Sequence, residues 1–164
     1  MRRLPKFLLL AVLLGVSACD GEPVPLQKMP DIKIATLDGK VEPLSQWRGK
    51  KIILNVWATW CAPCREEMPA LEMLSQSLNP EEFIVLGVSI DNKTLPVKEF
   101  LRRTGIKFAR HIDRRGNLMR EALGIVQIPQ TLIIDPSGNL VTRVVGVKEW
   151  KKDDVVDTFS KMGM

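Results

Sequence analysis

Residues 51–78 read KIILNVWATWCAPCREEMPALEMLSQSL, and two different periodicities meet inside them. The run KIILNVW at 51–57 is apolar and β-branched, the pattern of a strand buried on both faces. From Cys64 onward, apolar or small residues fall at 64, 68, 71, 74 and 78. That three-to-four spacing predicts an amphipathic helix over 62–78. Residues 58–60 are left as a short connection, so Cys61 stands at the helix N-terminus and Cys64 one turn further in. Pro63 fits the first turn, where its missing N–H is not needed.

Two thiols at this spacing can clamp a metal, anchor haem, close a structural bridge or exchange disulfides. The chain holds three cysteines and one histidine. If Cys19 is committed to lipid, as argued below, Cys61, Cys64 and His111 cannot complete a structural zinc site of four Cys or His ligands, and no metal site is expected. Haem attachment needs a histidine directly after the second cysteine, where Arg65 stands. A bridge over two intervening residues removes little chain entropy and would stabilise little. A redox couple is what survives, and it requires no further cofactor. Unpaired N–H groups and the helix dipole favour a thiolate at Cys61, which is expected to be the attacking sulfur. Cys64 is placed to resolve the mixed disulfide at high effective concentration. Glu66 and Glu67 read as acidic residues favourable in the first turns of a helix. Met68 belongs to the helix core face, and Pro69 is expected to kink the helix.

Outside this stretch, 164 residues with 45% hydrophobic content allow one good core and one domain of ordinary size. The first residues place Arg2, Arg3 and Lys6 ahead of an apolar run, Phe7 to Val16, too short to span a bilayer permanently. Residues 1–18 therefore read as a signal peptide. Val16, Ser17 and Ala18 lead into Cys19 in a pattern that resembles the lipobox of bacterial lipoproteins, which implies acylation of Cys19 and attachment to a membrane. Asp20 resembles a signal for retention in the inner membrane. A tether is expected over 19–30 and the folded domain over 31–164. Loss of residues 1–18 lowers the formal net charge from +5 to +2, which removes the electrostatic argument for nucleic acid. A basic bias persists between Lys98 and Arg120, where eight cations face only Glu99 and Asp113. It reads as a solvated face, with docking of an acidic partner or anionic lipid as the alternative.

Coarsely, 31–35 and 40–43 form a hairpin around Asp38 and Gly39. Strand 51–57, helix 62–78 and strand 82–90 form a right-handed βαβ unit. A helix follows over 94–104, with Thr94 and Pro96 at its start and Gly105 at its end. A short helix over 116–123, strands 131–135 and 140–145 around the turn DPSG, and a helix over 149–162 complete the chain.

The segment WATWCAPCREEMPAL is similar to the active-site segment of thioredoxin-like proteins, most closely the TlpA-like, DsbE-like and ResA-like branch of bacterial envelope thiol-disulfide oxidoreductases. The likeness runs from about Asp31 to the C-terminus and includes WRGKKIILNVW and VQIPQTLIIDPSGNLV. It implies an α/β thioredoxin fold, βαβ then ββα, a central mixed sheet flanked by helices, with an N-terminal β-hairpin extension and a helical insertion. It also implies a cis proline opposite the cysteines at Pro129, and backbone pairing of Ile128 with an extended substrate. Trp60 is expected on the apolar rim of the site and Trp57 in the core; with Pro63, Ile128 and Pro129, Trp60 makes the expected substrate surface. Asn55 stands where thioredoxin carries a buried aspartate, and an amide cannot take a proton from Cys64. Asp91, beside the family's acidic position at Asn92, is the candidate base. His111 is expected to be a surface or partly buried structural residue.

The resemblance further implies a lipid-anchored enzyme at the periplasmic face of the inner membrane. Its expected partners are disulfide-bearing envelope proteins, such as apocytochrome c or a copper-centre assembly protein, and a membrane electron donor. Ala62 and Pro63 supply no histidine between the cysteines, which favours reduction over oxidation. The alternative is a copper(I)-binding metallochaperone or apoprotein-holding module using the same soft thiolates, although no histidine or methionine cluster flanks them.

Overall fold

The computed structural model of the chain describes residues 27–161 and Gly163. The expected signal peptide, Cys19 and Asp20 lie outside the described residues. Fourteen elements follow in order: β1 (Gln27–Lys28), β2 (Lys33–Thr36), β3 (Val41–Pro43), a 3-10 turn (Leu44–Trp47), β4 (Lys51–Trp57), α1 (Ala62–Ser77), β5 (Phe83–Ser89), α2 (Thr94–Thr104), β6 (His111–Ile112), a 3-10 turn (Arg114–Gly116), α3 (Asn117–Leu123), β7 (Gln130–Ile134), β8 (Asn139–Val145) and α4 (Lys152–Ser160). The strands form one sheet in the order β1-β8-β7-β4-β5-β6-β2-β3.

β4 lies inside the sheet because its residues are apolar on both sides. It pairs in parallel with β5, from Lys51 opposite Phe83 to Trp57 opposite Ser89. A parallel neighbour needs a crossover, which α1 supplies. On its other edge β4 pairs antiparallel with β7, ending with Val56 opposite Gln130. Successive side chains of β4 enter different cores, as the two-residue period requires. Ile53 and Trp57 join Met68, Leu71 and Leu74 of α1, Phe100 of α2 and Phe159 of α4. Ile52, Leu54 and Val56 join Met119 and Leu123 of α3 and Leu44 from the N-terminal segment. The sheet is thus covered on both faces, and the mixed α/β architecture is the one expected.

The elements depart from expectation mainly at their ends. Gln27 and Lys28 pair with Leu140 and Asn139, and Met29 is buried, so the sheet begins inside the segment read as tether. β6 has only two residues, yet it pairs with both β5 and β2 and so joins the N-terminal hairpin to the sheet edge. Close passage of this region depends on Gly87 in β5, where an added Cβ would lie 2.6 Å from the Ala109 Cα. At α2, Lys93 takes the N-cap position without a side-chain cap and Thr94 is the first helical residue, whereas Gly105 ends the helix at φ 74° as expected. α4 is shorter than its expected span, at nine residues. Pro69 lies within α1, which continues through it.

Candidate active site

The connection from β4 to α1 carries the two cysteines to the end of the sheet. Cys61 is the N-cap of α1, in an extended conformation, and its Sγ accepts from the Cys64 N–H at 3.2 Å. A cap sulfur receiving a backbone N–H is in the environment that favours a thiolate once the pair is reduced. Here the two sulfurs form a disulfide with Cα atoms 5.3 Å apart. Cys64 is fully enclosed and Cys61 is the outer of the two, at 5% exposure. Pro63 occupies the first turn of α1.

Asp91 fixes the approach to the cysteines. Its carboxylate accepts from the Thr59 N–H at 2.9 Å, the Thr59 hydroxyl at 2.6 Å and the Ser89 hydroxyl at 2.6 Å. These three bonds tie the end of β5 to the turn that delivers Cys61. They give Asp91 a structural task in the site.

Glu67, which its neighbours in sequence do not distinguish from Glu66, lies three residues after Cys64 and is buried. Its Oε1 accepts from Asn55 Nδ2 at 2.8 Å, and its Oε2 accepts from Trp150 Nε1 at 3.3 Å and the Lys148 N–H at 3.4 Å. Asn55 also donates to Thr131 Oγ1 at 3.0 Å. Burial holds the Glu67 pKa above the ordinary carboxylate value, opposed by the hydrogen bonds from Asn55, Trp150 and Lys148. Asn55 therefore does not leave the site without an acid; it receives one from α1. The sequence signal was the conflict at Glu67, a charged residue on the stripe that also holds Cys64, Met68 and Leu71.

The second side of the site comes from the start of β7. The Ile128–Pro129 peptide is cis. Gln130 pairs with Val56, which places Pro129 at the same sheet end as the loop to Cys61. Ile128 is half-buried in the bend just ahead of β7, two residues before the first paired residue. Trp60 is 66% exposed beside Cys61, while Trp57 is completely buried and packs on Phe100 with ring centres 5.5 Å apart. His111 is more enclosed than expected: its Nε2 lies 3.0 Å from Glu42 Oε2 and its ring meets Trp47 edge-on. Among the described residues, no group of three or more His, Cys, Asp and Glu side chains is arranged to hold a metal. None of their helices is long and apolar enough to cross a membrane.

This arrangement can perform dithiol-disulfide exchange: an outer sulfur at a helix N-terminus, an inner sulfur behind it, and a strand line ending beside them. Comparison with known proteins points the same way. The family described as Redoxin matches residues 26–159. The chain is 32% identical to the thiol-disulfide oxidoreductase ResA of Geobacillus thermodenitrificans, over 77% of this chain and 71% of that protein. It is 33% identical to the thioredoxin-like protein YneN of Bacillus subtilis, over 77% of this chain and 74% of that one. Among solved structures, a thiol:disulfide interchange protein of the thioredoxin family from Chlorobium tepidum superposes with a TM-score of 0.70 at 27% identity, covering 85% of this chain and 98% of that one. The exposed lipoprotein thioredoxin Etrx1 of Streptococcus pneumoniae gives 0.67 at 26% identity, covering 80% and 99%.

Proposed function

The chain belongs to the Redoxin family and is a thiol-disulfide oxidoreductase, and from that premise we propose that it works as a reductase of protein disulfides in the bacterial envelope. The observation that carries the reading is the Cys61–Cys64 pair at the N-terminus of α1, with Cys61 outermost. In the reduced protein the Cys61 thiolate attacks one sulfur of a substrate disulfide. That S–S bond breaks, a Cys61–substrate disulfide forms, and the departing sulfur leaves as a thiolate that takes up a proton. Cys64 then loses its proton and attacks Cys61 Sγ, releasing the second substrate thiolate. The substrate has gained two electrons and the enzyme has lost two, as its own disulfide. An external dithiol donor must restore the reduced form.

Glu67 is the carboxyl suited to receive the Cys64 proton, because burial raises its pKa and it lies one helical turn from Cys64. Asp91 orders the loop instead. Ile128 and cis Pro129 present the edge on which an extended substrate lies, and Trp60 shields the exchanging sulfurs from one side.

The finer assignments rest on sequence and kinship. A lipid on Cys19 would hold the domain at the outer face of the inner membrane, with residues 19–26 as the spacer to β1; the name of the pneumococcal relative, an exposed lipoprotein, supports a surface setting. Apocytochrome c or a copper-centre assembly protein is the proposed substrate, and a membrane thiol reductant the proposed donor. The test is Cys64→Ser. It removes the resolving thiol, so mixed disulfides should accumulate on Cys61 in envelope preparations and be absent from Cys61→Ser. Trapping through residue 64 in the latter variant would reverse the roles.

A further inference from the structure

A groove of about 600 Å3 runs between Trp60 and the start of α3. Trp60, next to Cys61 in the chain, and Ile128, next to Pro129, both line it. Ile90, Met119 and Ile125 make an apolar floor. Arg115 and Arg120 stand on its wall, and among the described residues no carboxylate lines it. Among the described residues neither arginine forms an ion pair. They belong to the basic stretch 98–120, in which Lys98 is already paired with Asp38.

The backbone at the first of these cations is unusual. Arg115 has φ 72°, a left-handed conformation that costs a non-glycine residue about 1–2 kcal/mol. Gly116 follows at φ 67°, where an added Cβ would lie 3.1 Å from Ile90 Cγ2. The two left-handed residues turn the chain sharply into α3 against the end of β5. Backbone strain of this kind collects where a side chain must be aimed.

We propose that this groove receives the polypeptide segment flanking the substrate's disulfide, and that Arg115 and Arg120 select segments carrying a carboxylate beside an apolar side chain. The inference rests on the reading of the protein as a reductase of protein disulfides. The apolar side chain fills the floor and supplies affinity, whereas the carboxylate meets two unpaired guanidinium groups and supplies selectivity. The occupant is polypeptide because the groove is lined by Trp60 and Ile128, the chain neighbours of Cys61 and of cis Pro129, the residues on which the proposed protein substrate is exchanged.

The test uses the full chain, reduced and kept in mild detergent, and three synthetic peptides identical except for the residues flanking an intramolecular disulfide: leucine with glutamate, leucine with glutamine, and leucine with lysine. At low salt, kcat/KM should fall in that order, with the glutamate peptide favoured over the lysine peptide by about 10-fold, as expected of two partly exposed ion pairs. At about 1 M salt, where the Debye length is about 3 Å, the ratio should approach one. Arg115→Gln with Arg120→Gln should bring the ratio towards one at low salt, and Arg115→Glu with Arg120→Glu should invert it. The inversion is a gained preference that misfolding cannot produce. Equal rates on the three peptides would overturn the proposal while leaving the reductase reading intact, as would a preference that neither double variant moves. Failure to reduce any peptide, or bis(2-hydroxyethyl) disulfide, would overturn the reading beneath it.

Discussion

A buried carboxyl group must be neutralised or held by donors, and Glu67 is held by Asn55, Trp150 and the Lys148 N–H while burial still raises its pKa. If it accepts the Cys64 proton, Glu67→Gln should slow resolution of a preformed mixed disulfide by about 10-fold or more and remove one limb of the pH–rate profile for that step. Stopped-flow measurement of substrate release from Cys61 reads both. A slowed rate with an unchanged profile would reduce Glu67 to a tie between α1 and the Trp150 segment. The cysteines were legible in sequence because their roles follow from position: one at a helix N-terminus, one a turn later. Glu67 was harder to read, because an acid early in a helix has an ordinary explanation in the dipole that competes with its place on the buried stripe. Asp91 was identified from kinship, and its three short hydrogen bonds show it bracing the Thr59 turn.

At the scale of elements, β4, α1 and β5 could be read directly, since long strands and a helix with a clear stripe express their periods over enough residues. β1 and β6 could not: two residues carry no period, and their pairing is decided by β8, β5 and β2. β6 reaches its place only because the chain before it passes tightly over Gly87. Gly87→Ala puts a methyl group 2.6 Å from the Ala109 Cα, a backbone atom that cannot swing aside. It should destabilise the domain by about 1–3 kcal/mol in urea unfolding, through overpacking. A cost near zero would mean that the 108–112 segment packs less closely on β5 than described. At the groove wall Gly116 and Asn117 mark a turn in the sequence, but a left-handed Arg115 ahead of Gly116 carries no signal of its own.

For the whole molecule, the N-terminal hairpin is joined to the sheet edge by Glu42, whose carboxylate lies 2.8 Å from Lys40 Nζ and 3.0 Å from His111 Nε2. The hydrogen bond from Lys40, and then that from His111, pull its pKa from 4.5 down to about 2. A carboxyl whose pKa falls on folding stabilises the native state above its unfolded value and loses that contribution as the pH drops through the folded one. Between pH 4.5 and about 2 the wild type should therefore lose up to about 3 kcal/mol from this group. Glu42→Gln should show a flatter acid limb in urea titrations over that range; an identical limb would show that Glu42 contributes nothing to the attachment. The proposal that the complete domain, with its outer sulfur, inner sulfur and enclosed acid, gives electrons to disulfides is a statement about potential. The most direct measurement is the reduction potential of the Cys61/Cys64 couple, found by equilibrating the protein against dithiothreitol redox buffers. The account predicts a value below about −220 mV, on the glutaredoxin and thioredoxin side of the scale. A value near about −120 mV, that of a strong disulfide donor, would contradict it.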